Sequence, residues 1–243
     1  MRMLTLARRN AKEMVRDPLN VAFGLGFPLV LIVLLSAIQA NIPVALFEME
    51  RLAPGIAVFG LSFISLFSAT MIAKDRGSSL IRRLYTTPLT PWDFIGGYTL
   101  PMLPLAVAQS VVCYAAAVLL GLELTLNVLY AIAAIIPVSL LYIAIGLLCG
   151  SVLNDKQVGG VCGALLTNLS AWLSGIWFDL ELVGGVFKKA ANVLPFVHGV
   201  ELGRAALAGQ VSDIFPHLWW VLGYAVALFP VAVFVFLRQM KRL

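Results

Sequence analysis

The chain has 243 residues, of which 61% are hydrophobic and 12% charged, and its mean hydropathy is +0.96. Soluble domains carry about 25% charged residues, so a water-soluble core is excluded and lipid must solvate much of the surface. The net charge of +5 would suit nucleic acid, but the basic residues fall in a pattern that membrane topology explains, and that partner is excluded too.

Residues 1–17 place Leu4, Ala7, Ala11, Met14 and Val15 on one helical face and Arg2, Arg9, Lys12 and Arg16 on the opposite one. This predicts an N-terminal interfacial amphipathic helix lying on anionic headgroups, although topogenic charge alone accounts for the cations equally well. A basic stretch before an apolar run also describes a signal peptide. Here the run exceeds the ~7–15 residues usual for such a peptide and five more spans follow, so no cleavage after Ala40 is expected.

Six windows lack any Asp, Glu, Lys or Arg: 18–47, 52–73, 94–122, 124–154, 157–178 and 214–237. Each exceeds the ~20 residues that a helix needs to cross the hydrocarbon, and apolar runs this long are neither core strands nor soluble helices. Six transmembrane helices are predicted, near residues 21–40, 53–73, 100–120, 126–148, 159–177 and 218–237. Pro28, Pro104, Pro137 and Pro230 should kink rather than end them, since neighbouring helices re-satisfy the freed carbonyls. The expected fold is an all-α integral membrane protein forming one transmembrane domain over residues 1–243.

Six crossings put both termini on one side, together with thirteen of the basic residues; only Arg51, Lys188, Lys189 and Arg204 fall on the other. The positive-inside bias therefore predicts a multi-pass protein of the cell (plasma or inner) membrane with both termini cytoplasmic. Trp172, Trp177, Trp219 and Trp220 fall near the outer ends of their helices, as an aromatic belt would.

No formal charge sits within a span. Charges at mid-membrane mark ion and proton paths, so a proton- or sodium-coupled transporter and a membrane enzyme both lose support. No GxSxG, HExxH or paired-carboxylate arrangement is present, and no GxxxxGK[ST] phosphate loop. The chain is therefore expected not to be an enzyme and to hold no cofactor. Cys113, Cys149 and Cys162 have no CxxC spacing, which suggests neither disulfides nor zinc. His198 and His217 have no partner at metal spacing, so no metal site is expected. Gly146 and Gly150, Gly159 and Gly163, and Ser65 and Ala69 are four apart, a spacing that lets helices approach closely within a bundle or between subunits.

Residues 74–98 read KDRGSSLIRRLYTTPLTPWDFIGGY. Gly77 can close the second span in the left-handed conformation. Ser78 or Ser79 can cap a short helix with Leu80, Ile81 and Leu84 on one face and Arg82 and Arg83 beside it. Thr87-Pro88 breaks that helix, and Thr90-Pro91-Trp92-Asp93 starts the next with a cap, a proline and an acid. On the opposite side, the 35 residues of 179–213 form a re-entrant or interfacial segment of short helices. One of them carries Leu202, Ala205, Ala206 and Leu207 and ends at Gly209.

In these features the chain resembles the ABC type-2 exporter permeases. In that family the second span runs into a Glu-Arg-Glu, glycine, Thr, Arg-Leu, Thr-Pro-Leu stretch; here Lys74-Asp75-Arg76-Gly77 is followed by Arg83-Leu84 and Thr87-Pro88-Leu89. Both glutamates are missing, and only Asp75 offers a carboxylate. Pro54-Gly55 opens the second span, and Leu194-Pro195-Phe196 precedes Glu201-Leu202-Gly203-Arg204, both as in the family. The resemblance implies a permease domain acting as a dimer with a second copy or a paralogue. It further implies a separate ATP-binding cassette ATPase subunit that holds ATP and Mg, and a cytoplasmic coupling helix between spans two and three. The ATPase-coupling residues would be Arg76, Gly77, Leu80, Ile81, Arg82, Arg83, Leu84, Thr87 and Pro88. An outer gate would use Leu194, Pro195, Phe196, Glu201 and Arg204, unless that segment only packs the outer face. Ser65, Gln109, Asn168, Trp172 and Ser174 are the candidate substrate-pathway residues.

The expected function is export of a lipophilic or amphipathic solute (drug, antibiotic or lipid-like), because charge-free spans offer a hydrated ion little compensation for lost water. The drug and antibiotic exporters look most similar. A polysaccharide permease, a non-transporting sensor or assembly subunit of such a complex, and a passive channel stay open as alternatives.

Overall fold

The computed structural model describes residues 2–42, 47–78 and 90–240, and every regular element among them is helical. In chain order, α1 is Arg2–Val15 and α2 is the continuous run of Pro18–Val21, Ala22–Gly26 and Phe27–Gln39. The long helices α3 (Met49–Gly77), α4 (Pro91–Leu119) and α5 (Leu126–Val152) follow. Then α6 joins Asp155–Val158, Gly159–Leu166 and Thr167–Leu173 without a break, and α7 (Leu180–Val183), α8 (Gly185–Val193) and α9 (Pro195–Ala208) make up the segment before α10 (Val211–Met240).

The bundle is built around α3. Its most apolar window is 83% buried, against 22% for α2 and α10, because it is apolar on every side and so packs on every side. It touches α2, α4, α5, α6 and α9, while α5 separates it from α10. Small residues set the closest approach, between α3 and α5. A Cβ at Gly146 would come within 2.4 Å of the Ser65 carbonyl oxygen, and one at Gly150 within 2.5 Å of that of Ala69. These two four-residue pairs therefore face each other. Gly159 meets nothing within 4 Å, so the third pair does not pack in this way.

Two helices contain a π-helical stretch, Ala22–Gly26 in α2 and Gly159–Leu166 in α6. In α2 it ends just before Pro28, whose ring lacks a donor and crowds the carbonyl of Gly24. A Cβ at Gly24 would itself strike the Phe67 ring at 2.7 Å.

The structure refines three expectations. Among the described residues, five helices are long and apolar enough to cross a membrane; the predicted span at 159–177 corresponds to α6, which ends at Leu173 and carries Lys156, Gln157 and Asn168. Gly77 is not left-handed; α3 ends instead through Ser78, whose N–H and hydroxyl both donate to the Asp75 carbonyl, at 3.2 and 2.8 Å. Finally, α1 buries Leu6, Ala7 and Asn10, while Leu4 and Val15 are 61% and 71% exposed. Leu4 and Val15 of the predicted apolar face thus stay exposed, while α1 docks through its neighbouring side where α4 offers glycines.

Candidate functional site

The last turn of α3 carries a buried charge with several hydrogen-bond partners. Asp75 is 3% exposed. Arg9 donates to both its oxygens, Nη1 to Oδ2 at 2.5 Å and Nη2 to Oδ1 at 2.9 Å, and the Tyr98 hydroxyl donates to Oδ2 at 2.5 Å. A buried carboxylate is tolerated only when paired and hydrogen-bonded in this way. Glu13 supplies Arg9 with a second acid at 2.6 Å. Burial works against the Arg9 charge, but Asp75 and then Glu13 outweigh it and raise its pKa above the ordinary value. Next to Arg9, the fully buried Asn10 donates to the Gly97 carbonyl at 3.0 Å. A Cβ at Gly97 would lie 2.5 Å from Leu6, so α1 reaches this depth on glycine.

Arg76 points the other way. Its Nη1 donates to the carbonyls of Gly150 at 2.7 Å and Leu153 at 3.2 Å, where a cation suits the negative end of the α5 dipole. Adjacent residues thus tie α3 to α1 and α4 on one side and to α5 on the other. The chain re-enters through the expected cap: Thr90 N–H donates to Asp93 at 3.0 Å and Asp93 N–H donates to the Thr90 hydroxyl at 3.2 Å. Of the expected coupling residues, Arg76 and Gly77 lie at this foot. Leu80, Ile81, Arg82, Arg83, Leu84, Thr87 and Pro88, and with them the predicted coupling helix at 79–85, lie outside the described residues.

The candidate pathway residues do not come together. Ser65 is buried in the α3–α5 contact. Gln109 is fully buried and donates to the Ala57 carbonyl at 3.2 Å, pressed on Gly60. Ser174, also buried, donates to the Ala171 carbonyl at 3.2 Å. Asn168 and Trp172 instead face outward from α6, Trp172 being 57% exposed.

At the other end, α9 lies across the tops of α3 and α5. Gly203 lets it ride over Pro54 and Gly199 over Val138, with would-be Cβ contacts of 3.1 and 3.0 Å. Arg204 donates to Glu201 at 2.7 Å, to the Gly175 carbonyl at 3.0 Å and to the Arg51 carbonyl at 3.3 Å. It thereby pins α9 to the start of α3 and to the turn after α6. Beside it opens a cleft of about 490 Å³ whose lining includes Trp177, Phe178, Asp179, Glu201 and Arg204. Of the expected gate residues, Glu201 and Arg204 line this cleft. Leu194, Pro195 and Phe196 begin α9 beneath it, with the Phe196 ring 6.1 Å from Tyr142. The helix ends at Gly209, left-handed at φ +70°, as expected, but starts at Pro195, before Leu202.

Arg9, Asn10 and Tyr98 were not legible as site residues. The one available signal was Asn10, a polar residue that falls between Leu6 and Met14 on the α1 wheel, where an apolar side chain belongs. His198 and His217, which have no partner at metal spacing in the sequence, meet at 2.9 Å. Compared with known proteins, residues 1–208 match the family model described as ABC-2 type transporter. None of the curated proteins matches the chain.

Proposed function

We propose that this chain, which belongs to the ABC-2 type transporter family, is the permease of an ATP-driven exporter for a lipophilic or amphipathic solute. As an ABC permease subunit it partners an ATP-binding cassette ATPase subunit. In the proposed arrangement both termini are cytoplasmic, α6 supplies a sixth crossing, and residues 79–85 form the coupling helix. The ATPase holds ATP and Mg, and this chain, lacking a phosphate loop, hydrolyses nothing by itself.

The observation that carries this reading is the foot of α3. A push on the 79–89 segment enters the bundle at Asp75 and Arg76, which are bonded to α1, α4 and α5. Rigid contacts of this kind carry displacement to several helices at once, because packed elements shift as units rather than deforming. A second copy completes the pathway. Within one chain α3 is tightly enclosed and Ser65, Gln109 and Ser174 are packed shut, so the route runs along the outer faces. Asn168 and Trp172, exposed on α6, are the candidates that reach it. The cleft beside Arg204 and the start of α9 form its outer gate.

Copurification with an ATP-binding cassette ATPase subunit tests this reading. The chain alone should hydrolyse no ATP, and the pair should do so at a rate that amphipathic compounds stimulate. Turnover by the chain free of any partner, or failure of the two to associate, contradicts it.

A further inference from the structure

The two histidines lie 19 residues apart and on different helices, yet His198 Nδ1 and His217 Nδ1 are 2.9 Å apart. His198 Nε2 stands 2.9 Å from the carbonyl oxygen of Asn192. A carbonyl only accepts, so Nε2 carries a proton. With both rings neutral, His198 Nδ1 is then bare and His217 Nδ1–H must donate to it. The His198 ring stacks on Trp220 at 4.9 Å and 5°, and one turn on the Tyr224 hydroxyl donates to the Val193 carbonyl at 2.7 Å. Together these contacts fasten α10 to α9 and to the end of α8.

We propose that His198 and His217 form a proton-binding clasp that holds α10 against α8 and α9 when neutral or singly protonated and releases it when both rings are charged. One proton is accommodated without loss: His198 becomes cationic, donates from Nδ1 to a bare His217 Nδ1, and still donates from Nε2 to Asn192. A second proton removes the last acceptor and leaves two cations in hydrogen-bond contact, with donors facing donors. The clasp therefore opens as pH falls.

The neighbouring carboxylates are already engaged elsewhere. Glu201, a turn along α9, is engaged by Arg204 at 2.7 Å, and Asp213, a turn before His217 on α10, accepts from Ser212 at 3.1 Å. Both act on His217 through space. On α8, Lys188 is paired with Glu181 and Lys189 adds only positive charge. At the start of α3, Arg51 faces Asp179 at 4.0 Å, and α5 carries no charged residue. Tyr224 is the other titratable group of α10 near the clasp, and its hydroxyl is already committed to Val193.

The chain has two histidines in all, so NMR of the full protein in lipid nanodiscs, labelled at the histidine Cε1, reads the pair alone. We expect both resonances to respond to two separated proton uptakes that belong to the pair rather than to either ring alone. His217→Gln and His198→Gln should each leave a single uptake. Amide exchange in 195–217 should speed up through the second uptake in the parent but not in His217→Gln, which can no longer carry two charges there. Two independent single-step curves in the parent overturn the proposal, as does acid loosening of His217→Gln equal to that of the parent.

Discussion

Of the two ions that join α1 to α3, Asp75 is the one that cannot be left alone: its side chain is 4% exposed, while that of Arg9 is 37% exposed. Removing one partner of a fully buried pair costs about 3–5 kcal/mol, and the half-exposed guanidinium brings the expectation for Arg9→Gln to roughly 2–3 kcal/mol. Asp75→Asn should cost less, because Arg9 keeps Glu13 and water. The double variant should cost clearly less than the sum, since the two residues share one network. Thermal unfolding of the four proteins in one detergent measures this, and strict additivity contradicts the pairing. Sequence reading identified Asp75 and Arg76 through the family motif but gave Asp75 no partner. Arg9 sits 66 residues away on a face that reads as solvated, and no local pattern joins the two. The histidines were missed for the same reason: the pair exists only once α9 folds back against α10.

At the scale of elements, the long helices were legible because lipid demands uninterrupted apolar length, and the caps at Thr90 and Gly209 because their chemistry is local. The close approach of α3 and α5 was half legible, as the small residues are visible in sequence but their facing partner is not. It makes a distinct expectation. Gly146→Ala must push α5 away from a backbone oxygen that its Cβ would meet at 2.4 Å, at a cost of about 1–3 kcal/mol for overpacking. Gly223→Ala, in α10 with nothing within 4 Å, should instead stabilise by about 0.5–1 kcal/mol, as alanine generally does in a helix. Unfolding midpoints compare them, and equal effects would show that α3 and α5 are not in contact. The predicted span at 159–177 read as more uniformly apolar than α6 is, because α6 mixes polar residues and a π-helical stretch into its apolar run. Periodicity does not register such a bulge.

For the molecule as a whole, charge placement and the order of motifs were enough to reach the family, because topology is written in composition. They were not enough to find the route of the solute: interior serines and glutamine read as a lining, whereas dense packing uses them as helix contacts. In the proposed mechanism ATP hydrolysis on a separate subunit reaches this bundle through residues 79–85 and drives an amphipathic solute outward. Its most direct test is transport in inside-out vesicles holding the chain and its ATPase, with a parallel Leu80→Asp, Leu84→Asp variant that keeps every basic residue. The parent should accumulate an amphipathic dye only with ATP and both subunits present, and the variant should insert normally yet neither accumulate dye nor stimulate the ATPase. Accumulation without the ATPase, selective movement of small inorganic ions, or a variant that transports like the parent would contradict it.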